Sequence, residues 1–243
     1  MCVAEDGFGA VEPGGDVERF CREGADPSFY LSERPLRLSE LPEILRGTAF
    51  LAILIGLVVG ASAVGASWQT GTMTTILAWE PRRVRVFLAR VAVVAVGVIA
   101  LVAVLYGVFL ALFSGAASLR GVTATPEGWT AQVVGVIARI AALAGAASII
   151  GGAIAMLGRN TAAALGGVFV YLTVFEGIVR GLRPTLGRVL LGDNIATLVI
   201  GRDLMAAEGG VSHTPARATV VVAVYALGLL AVATASFRVR DVQ

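Results

Sequence analysis

The chain has no lysine, one histidine, two cysteines and little charge of either sign. Each shortage excludes something. With charged residues at 15% against 57% hydrophobic and a mean hydropathy of +0.84, a soluble globular domain of 243 residues is excluded. Cys2 and Cys21 lie close to the N-terminus and His213 stands alone, so no spacing of Cys and His could hold a metal. There is no Gly-x-Ser-x-Gly, no His-Glu-x-x-His and no paired aspartate cluster, hence no recognisable active site. There is also no GxxxxGK[ST], so the chain does not bind ATP through a P-loop. No basic n-region precedes an apolar core near Met1, which excludes a signal peptide. The absence of lysine makes every one of the 19 basic residues an arginine, a bias that fits a GC-rich genome better than any mechanism.

What is present is apolar sequence in runs of about twenty residues or more, without alternation. The chain therefore reads as an all-α, polytopic membrane helical bundle of about five spans. Residues 1–47 form a polar N-terminal segment holding ten acids and five arginines, a net of −5; residues 48–243 form the transmembrane domain, with seven acids and fourteen arginines, a net of +7. Those arginines sit at span ends, so the basic body is no nucleic-acid signal. Met1 to Gly15 has the composition of disorder. Cys2 and Cys21 could bridge on an oxidising side, or remain free thiols.

The spacing predicts spans over about 48–67, 86–114, 130–157, 161–180 and 217–237. Ser39-Glu40-Leu41-Pro42 leads into a short helix joined to the first span. Gly56 and Gly60 make a GxxxG in span one, and Ala61 and Gly65 repeat the small-residue spacing nearby; such faces let backbones approach closely. Between spans four and five, Leu186, Val189, Leu190, Asp193, Leu198 and Val199 predict an interfacial or re-entrant helix.

The one polar interruption between strongly apolar segments is Ser67 to Arg90. Trp68, Thr72, Ile76 and Trp79 fall at spacings of three and four, one helix face. Glu80-Pro81 stops that helix, because the residue before a proline is pushed out of the α region. Arg82, Arg83, Arg85 and Arg90 follow. An interfacial loop anchored by Trp and Arg would look the same. The order Gly71-Thr72, Ile76-Leu77, Pro81, Arg82-Arg83, Arg90 resembles the first cytoplasmic loop of type-2 ABC transporter permeases, particularly actinobacterial-looking members, and a weaker similarity extends from about Pro27 to the C-terminus.

In that family this loop is the coupling helix that touches the ATPase. The resemblance therefore implies ATPase-coupling roles for Trp68, Gly71, Thr72, Ile76, Trp79, Glu80, Pro81, Arg82 and Arg83. It implies a separate ABC ATPase subunit that binds the ATP, so no cofactor on this chain. It further implies a second permease chain, the same or similar, and multi-pass residence in the cytoplasmic membrane as an exporter subunit that is not itself an enzyme. Two features depart from the family: Ser67 stands where a glutamate is common, and five spans are counted where six are usual. A late start codon, a truncated copy and a true five-span variant are all compatible with that count. Arginine placement does not decide the orientation; the resemblance puts the Ser67–Arg90 loop inside and residues 1–47 outside. The competing function is a non-transporting scaffold or assembly subunit whose glycine faces pack onto other helices. A secondary transporter would need more polar residues at mid-depth.

Two ionisable residues fall inside spans, Arg139 and Glu176. Charges in hydrocarbon are costly and are usually paired. With spans three and four antiparallel about a turn at Gly158–Asn160, the two are about three residues apart in depth, or roughly 4.5 Å, which predicts an intramembrane ion pair between them. Each could instead reach the headgroups separately.

Overall fold

A computed structural model describes residues 36–71, 83–205 and 212–239. The expectations placed on residues 1–35, including Cys2 and Cys21, lie outside the described residues.

Five helices are long and apolar enough to cross a membrane: Leu38–Trp68, Val84–Leu119, Trp129–Gly158, Thr161–Leu182 and Pro215–Arg238. The chain is thus a multi-pass helical membrane bundle. Its elements are α1 (Leu41–Gln69), α2 (Arg83–Arg120), α3 (Trp129–Gly158), α4 (Thr161–Val170), α5 (Glu176–Leu182), α6 (Leu191–Ile200) and α7 (Pro215–Val239). A five-residue π-helical stretch, Tyr171–Phe175, joins α4 to α5, and a 3-10 turn, Pro184–Val189, precedes α6. Two-residue strands β1 (Leu204–Met205) and β2 (Ser212–His213) pair antiparallel, Leu204 with His213, ahead of α7.

The first span begins earlier than its apolar core. Pro42 occupies the first turn of α1, where a proline loses nothing, and the helix runs unbroken from there to Gln69. Residues 41–47 therefore belong to the first membrane helix rather than to a separate segment. Backbone hydrogen bonds Leu38 N to Val122 O and Val122 N to Leu36 O, 3.0 and 2.9 Å, strap its start to the end of α2.

α3 is the axis of the bundle. In its most apolar stretch 56% of residues are buried, against 39% or less in the other spans. Its alanines and glycines explain why: they admit neighbouring backbones. A Cβ on Gly56 would strike the carbonyl of Ala144, one on Gly60 that of Ser148, and one on Gly151 that of Leu57. The GxxxG face of α1 is therefore used inside the chain, against α3. At one end of the bundle Ala61, Val64, Phe87, Val91, Met156, Ala164 and Phe237 form a core joining α1, α2, α3, α4 and α7. Towards the other end, α1, α2 and α3 share a core around Leu45, Val102, Tyr106 and Ile140. The outer face of α2, with Val93, Val96, Val104, Val108 and Leu112 exposed, is the apolar surface a lipid-facing helix presents. At 38 residues, about 57 Å, α2 exceeds the bilayer and must tilt or protrude.

Gly60→Ala should lower the thermal stability of the detergent-solubilised protein by about 1–3 kcal/mol, because the added methyl overpacks against a backbone carbonyl that cannot move aside. Gly97→Ala on α2, where nothing lies within 4 Å, should be neutral or mildly stabilising. Equal effects would show that the α1–α3 contact is not the tight one.

Candidate functional site

The polar groups of the bundle gather at the end away from the Ser67–Arg90 loop, around the ten-residue helix α6. α6 packs on α7 and α3. A short apolar helix, too short for a full span, forms where the sequence predicts one, starting a few residues later at Leu191.

Glu176 is 1% exposed. Its carboxylate accepts the N–H of Gly192 at 3.0 and 3.1 Å, at the N-terminus of α6. Arg180 reaches back one turn, with Nη2 3.9 Å from Glu176 Oε2, and donates to Asp193 Oδ1 at 2.6 Å. At the other end of α6, Gly201 adopts a left-handed φ of 73° and its carbonyl accepts from Arg139 Nη1 at 3.5 Å. A side chain on Gly192 would meet the Glu176 carboxylate, and one on Gly201 the Arg139 guanidinium. Glycines at both termini thus let the charges in. An anion at a helix N-terminus and a cation at its C-terminus both oppose the macrodipole favourably.

The predicted ion pair between Arg139 and Glu176 does not form. The ion pairs among the described residues are Arg46–Glu43, Arg180–Glu176 and Arg180–Asp193. The depth arithmetic assumed that spans three and four run side by side to the end. α3 packs against α4, but beyond the π-helical stretch α5 turns to the start of α6. The two charges take opposite ends of a helix about 15 Å long instead.

The π-helical stretch is what turns Glu176. The Glu176 N–H bonds to the carbonyl of Tyr171, five residues back. Such insertions are frequent at functional positions. Tyr171 shares a hydrogen bond of 2.7 Å with Tyr225 of α7, whose hydroxyl also donates to Val189 O at 3.2 Å. Inside α6, the buried Asn194 donates to Leu190 O and Arg188 O, 2.6 and 3.2 Å, and Thr197 donates to Asp193 O at 2.8 Å. The network is thereby nearly closed on itself, as a low-dielectric site requires.

An apolar cavity of about 430 Å³ lies below α6, walled by Leu57 of α1, Ala147 and Ile150 of α3, Phe169 of α4 and Ile195 of α6. A second, of about 390 Å³, lies between α3 and α7 and contains Arg139.

At the opposite end, Trp68 is half-buried within its own chain. Its Nε1–H donates to Met156 Sδ at 3.3 Å, its ring meets Phe237 edge-on at 6.2 Å, and the Arg159 guanidinium lies 4.8 Å above it. Gly71 ends the described part of α1 with a left-handed φ of 70°. Arg83 opens α2. Thr72, Ile76, Trp79, Glu80, Pro81 and Arg82 lie outside the described residues. No group of three or more metal-ligating side chains occurs among the described residues.

Sequence reasoning found Glu176 and Arg139 but missed their partners. Gly192-Asp193-Asn194 and Gly201, glycines bracketing a short apolar run with an acid in its first turn, were the available signal.

No protein-family model, no curated protein and no solved structure matches this chain.

Glu176→Leu should free the Gly192 N–H and cost about 1–3 kcal/mol. Amide hydrogen exchange should speed up first over residues 191–195. In a double-mutant cycle with Arg139→Leu, the double variant should recover no stability, because the two groups do not touch. Recovery in the double variant, or unchanged exchange in the single one, would contradict the clamp on α6.

Proposed function

We propose that this chain is the transmembrane permease subunit of an ATP-driven ABC exporter, coupled to ATP hydrolysis on a separate ATPase subunit. The residues from Gly71 to Arg90 carry the family resemblance. The observation that supports a coupling role is the anchoring of that stretch at both of its ends. Trp68, just before it, packs on Phe237; Phe87, near its far end, is fully buried and lies 6.1 Å from the same ring. A push on the loop would therefore act on α1, α2 and α7 together rather than flex a tether.

On this reading ATP-driven closure of the partner ATPases moves the loop, and a second permease chain completes the pathway. The substrate passes between apolar walls, so apolar or amphipathic molecules suit it. The loop is then cytoplasmic, and α6 with its polar network faces the other side. The scaffold reading calls for glycine faces free to receive other helices: Gly56, Gly60 and Gly151 are already packed inside the chain, whereas Gly97, Gly107, Gly166 and Gly167 are open on the outside of the bundle.

Glu80→Arg reverses the charge at the end of the proposed coupling helix. It should strongly reduce co-purification of an ATPase subunit and stimulated ATP hydrolysis, while the melting curve of the permease itself stays unchanged. An intact complex with undiminished ATP hydrolysis would refute docking at that position.

A further inference from the structure

Among the described residues no acidic side chain pairs with Arg139. It lies ten residues into α3, about 15 Å from the helix start. α3 has 30 residues, about 45 Å; centred on a core of about 30 Å, it sets the Arg139 backbone roughly 7.5 Å inside the boundary, a depth from which an arginine side chain reaches the phosphate level. Among the described residues no carboxylate lies within ion-pair distance of it, Nε is buried without an acceptor, and its hydrogen bond to Gly201 O is long at 3.5 Å. The charge next to it is of the same sign. Gly56 faces Ala144 and Gly60 faces Ser148, both 88 positions on, which puts Arg46 of α1 level with residue 134 and roughly 7.5 Å from Arg139 along the axis. Arg46 has Glu43 for a partner, one turn away on the exposed side of α1. Asp193, Glu176 and Arg180 are engaged with one another at the far end of α6.

The space beside Arg139 is a crevice of about 390 Å³ between α3 and α7, roofed by Leu198 of α6. Ala138, Ala142, Thr219 and Ala223 at its rim are exposed on the outside of the bundle, so it opens where lipid lies. Apart from Arg139 its walls are apolar, and the Thr219 hydroxyl already donates to Pro215 O at 2.9 Å. A cation with unmet donors at the head of a small-residue, apolar crevice fits one kind of occupant: an anion carried on a hydrocarbon chain. Basic pockets between membrane helices bind anionic headgroups by this logic.

We infer that the α3–α7 crevice holds an anionic phospholipid of the bilayer, its phosphate on Arg139 and part of one acyl chain against Ala142, Ala146 and Val222. The inference does not depend on the proposed ATPase partner. Gly201 O keeps its bond to Nη1, and the lipid supplies the missing negative charge to the remaining donors.

The test uses the full chain purified from vesicles of phosphatidylcholine with phosphatidylglycerol, counting lipids retained through a detergent wash by native mass spectrometry. The wild type should retain phosphatidylglycerol in preference to phosphatidylcholine. Arg139→Gln should reduce that preference about fivefold, the equivalent of one arginine–anion contact at a membrane surface. Arg183→Gln, an exposed arginine at the same end of the bundle, should leave it unchanged. Ala142→Phe, which fills the crevice and leaves Arg139 in place, should reduce it as well, separating loss of the site from misfolding of the arginine variant. Equal losses from Arg139→Gln and Arg183→Gln would mean a diffuse basic surface and overturn the site. Displacement of the lipid by millimolar inorganic phosphate would identify a free-anion site instead, and retention in Ala142→Phe would place the lipid elsewhere.

Discussion

The close approach of α1 to α3 is the contact on which the rest of the bundle depends. At Gly56 and Gly60 the two backbones come so near that a methyl group would meet a carbonyl oxygen. In lipid there is no hydrophobic force between helices, so association rests on van der Waals packing of this kind. Because the contact repeats at a constant register, it fixes both depth and rotation of α1 on α3. Everything else is then placed against that pair: α2 across α1 and α3, α4 where Gly65 meets Thr161, and α7 along the remaining face of α3.

Satisfying polar groups without water is the second constraint, and the two ends of the bundle meet it differently. Near the Ser67–Arg90 loop the described core is mostly apolar and aromatic. An edge-on Trp68–Phe237 pair, Phe87 and the Met156 thioether fill the space, and the guanidinium of Arg159 covers the indole face. At the other end a whole short helix must be terminated inside the protein. Its first N–H groups and last carbonyls have no partners within a ten-residue helix. Glu176 takes one end and Arg139 the other, each admitted by a glycine. A neutral side chain could accept or donate the same single hydrogen bond, but it would not oppose the dipole.

Most of the architecture was legible in the sequence because the apolar runs are long and the turns short. All five spans were readable, with boundaries extended by the structure where helices continue beyond their apolar core, as α1 does from Pro42. The small-residue face on Gly56 and Gly60 was readable as well, though its partner was not; that it packs on α3 of the same chain depends on where α3 lies. The ion pair of Arg139 with Glu176 was misread for a definite reason. Depth counting treats a span as a straight rod, and the π-helical stretch at Tyr171–Phe175 carries no apolar pattern that marks it. A five-residue loosening of hydrogen bonds is invisible to periodicity, yet it redirects the residue that follows. The partner set also crosses elements: Gly192 and Gly201 are unremarkable until α6 is folded between the charges.

The asymmetry of the two ends has a mechanical consequence. Aromatic and thioether contacts at the loop end are non-directional, so they transmit a displacement without breaking. The hydrogen bonds that hold α6 and the turn before it are directional and few: Gly192 N–H to Glu176, Arg180 to Asp193, Arg139 to Gly201 O, and Tyr225 to Val189 O. The fold thus combines one close-packed helix pair with one short helix held by a few directed bonds, and that helix helps to wall the apolar cavity that α1, α3, α4 and α7 also line.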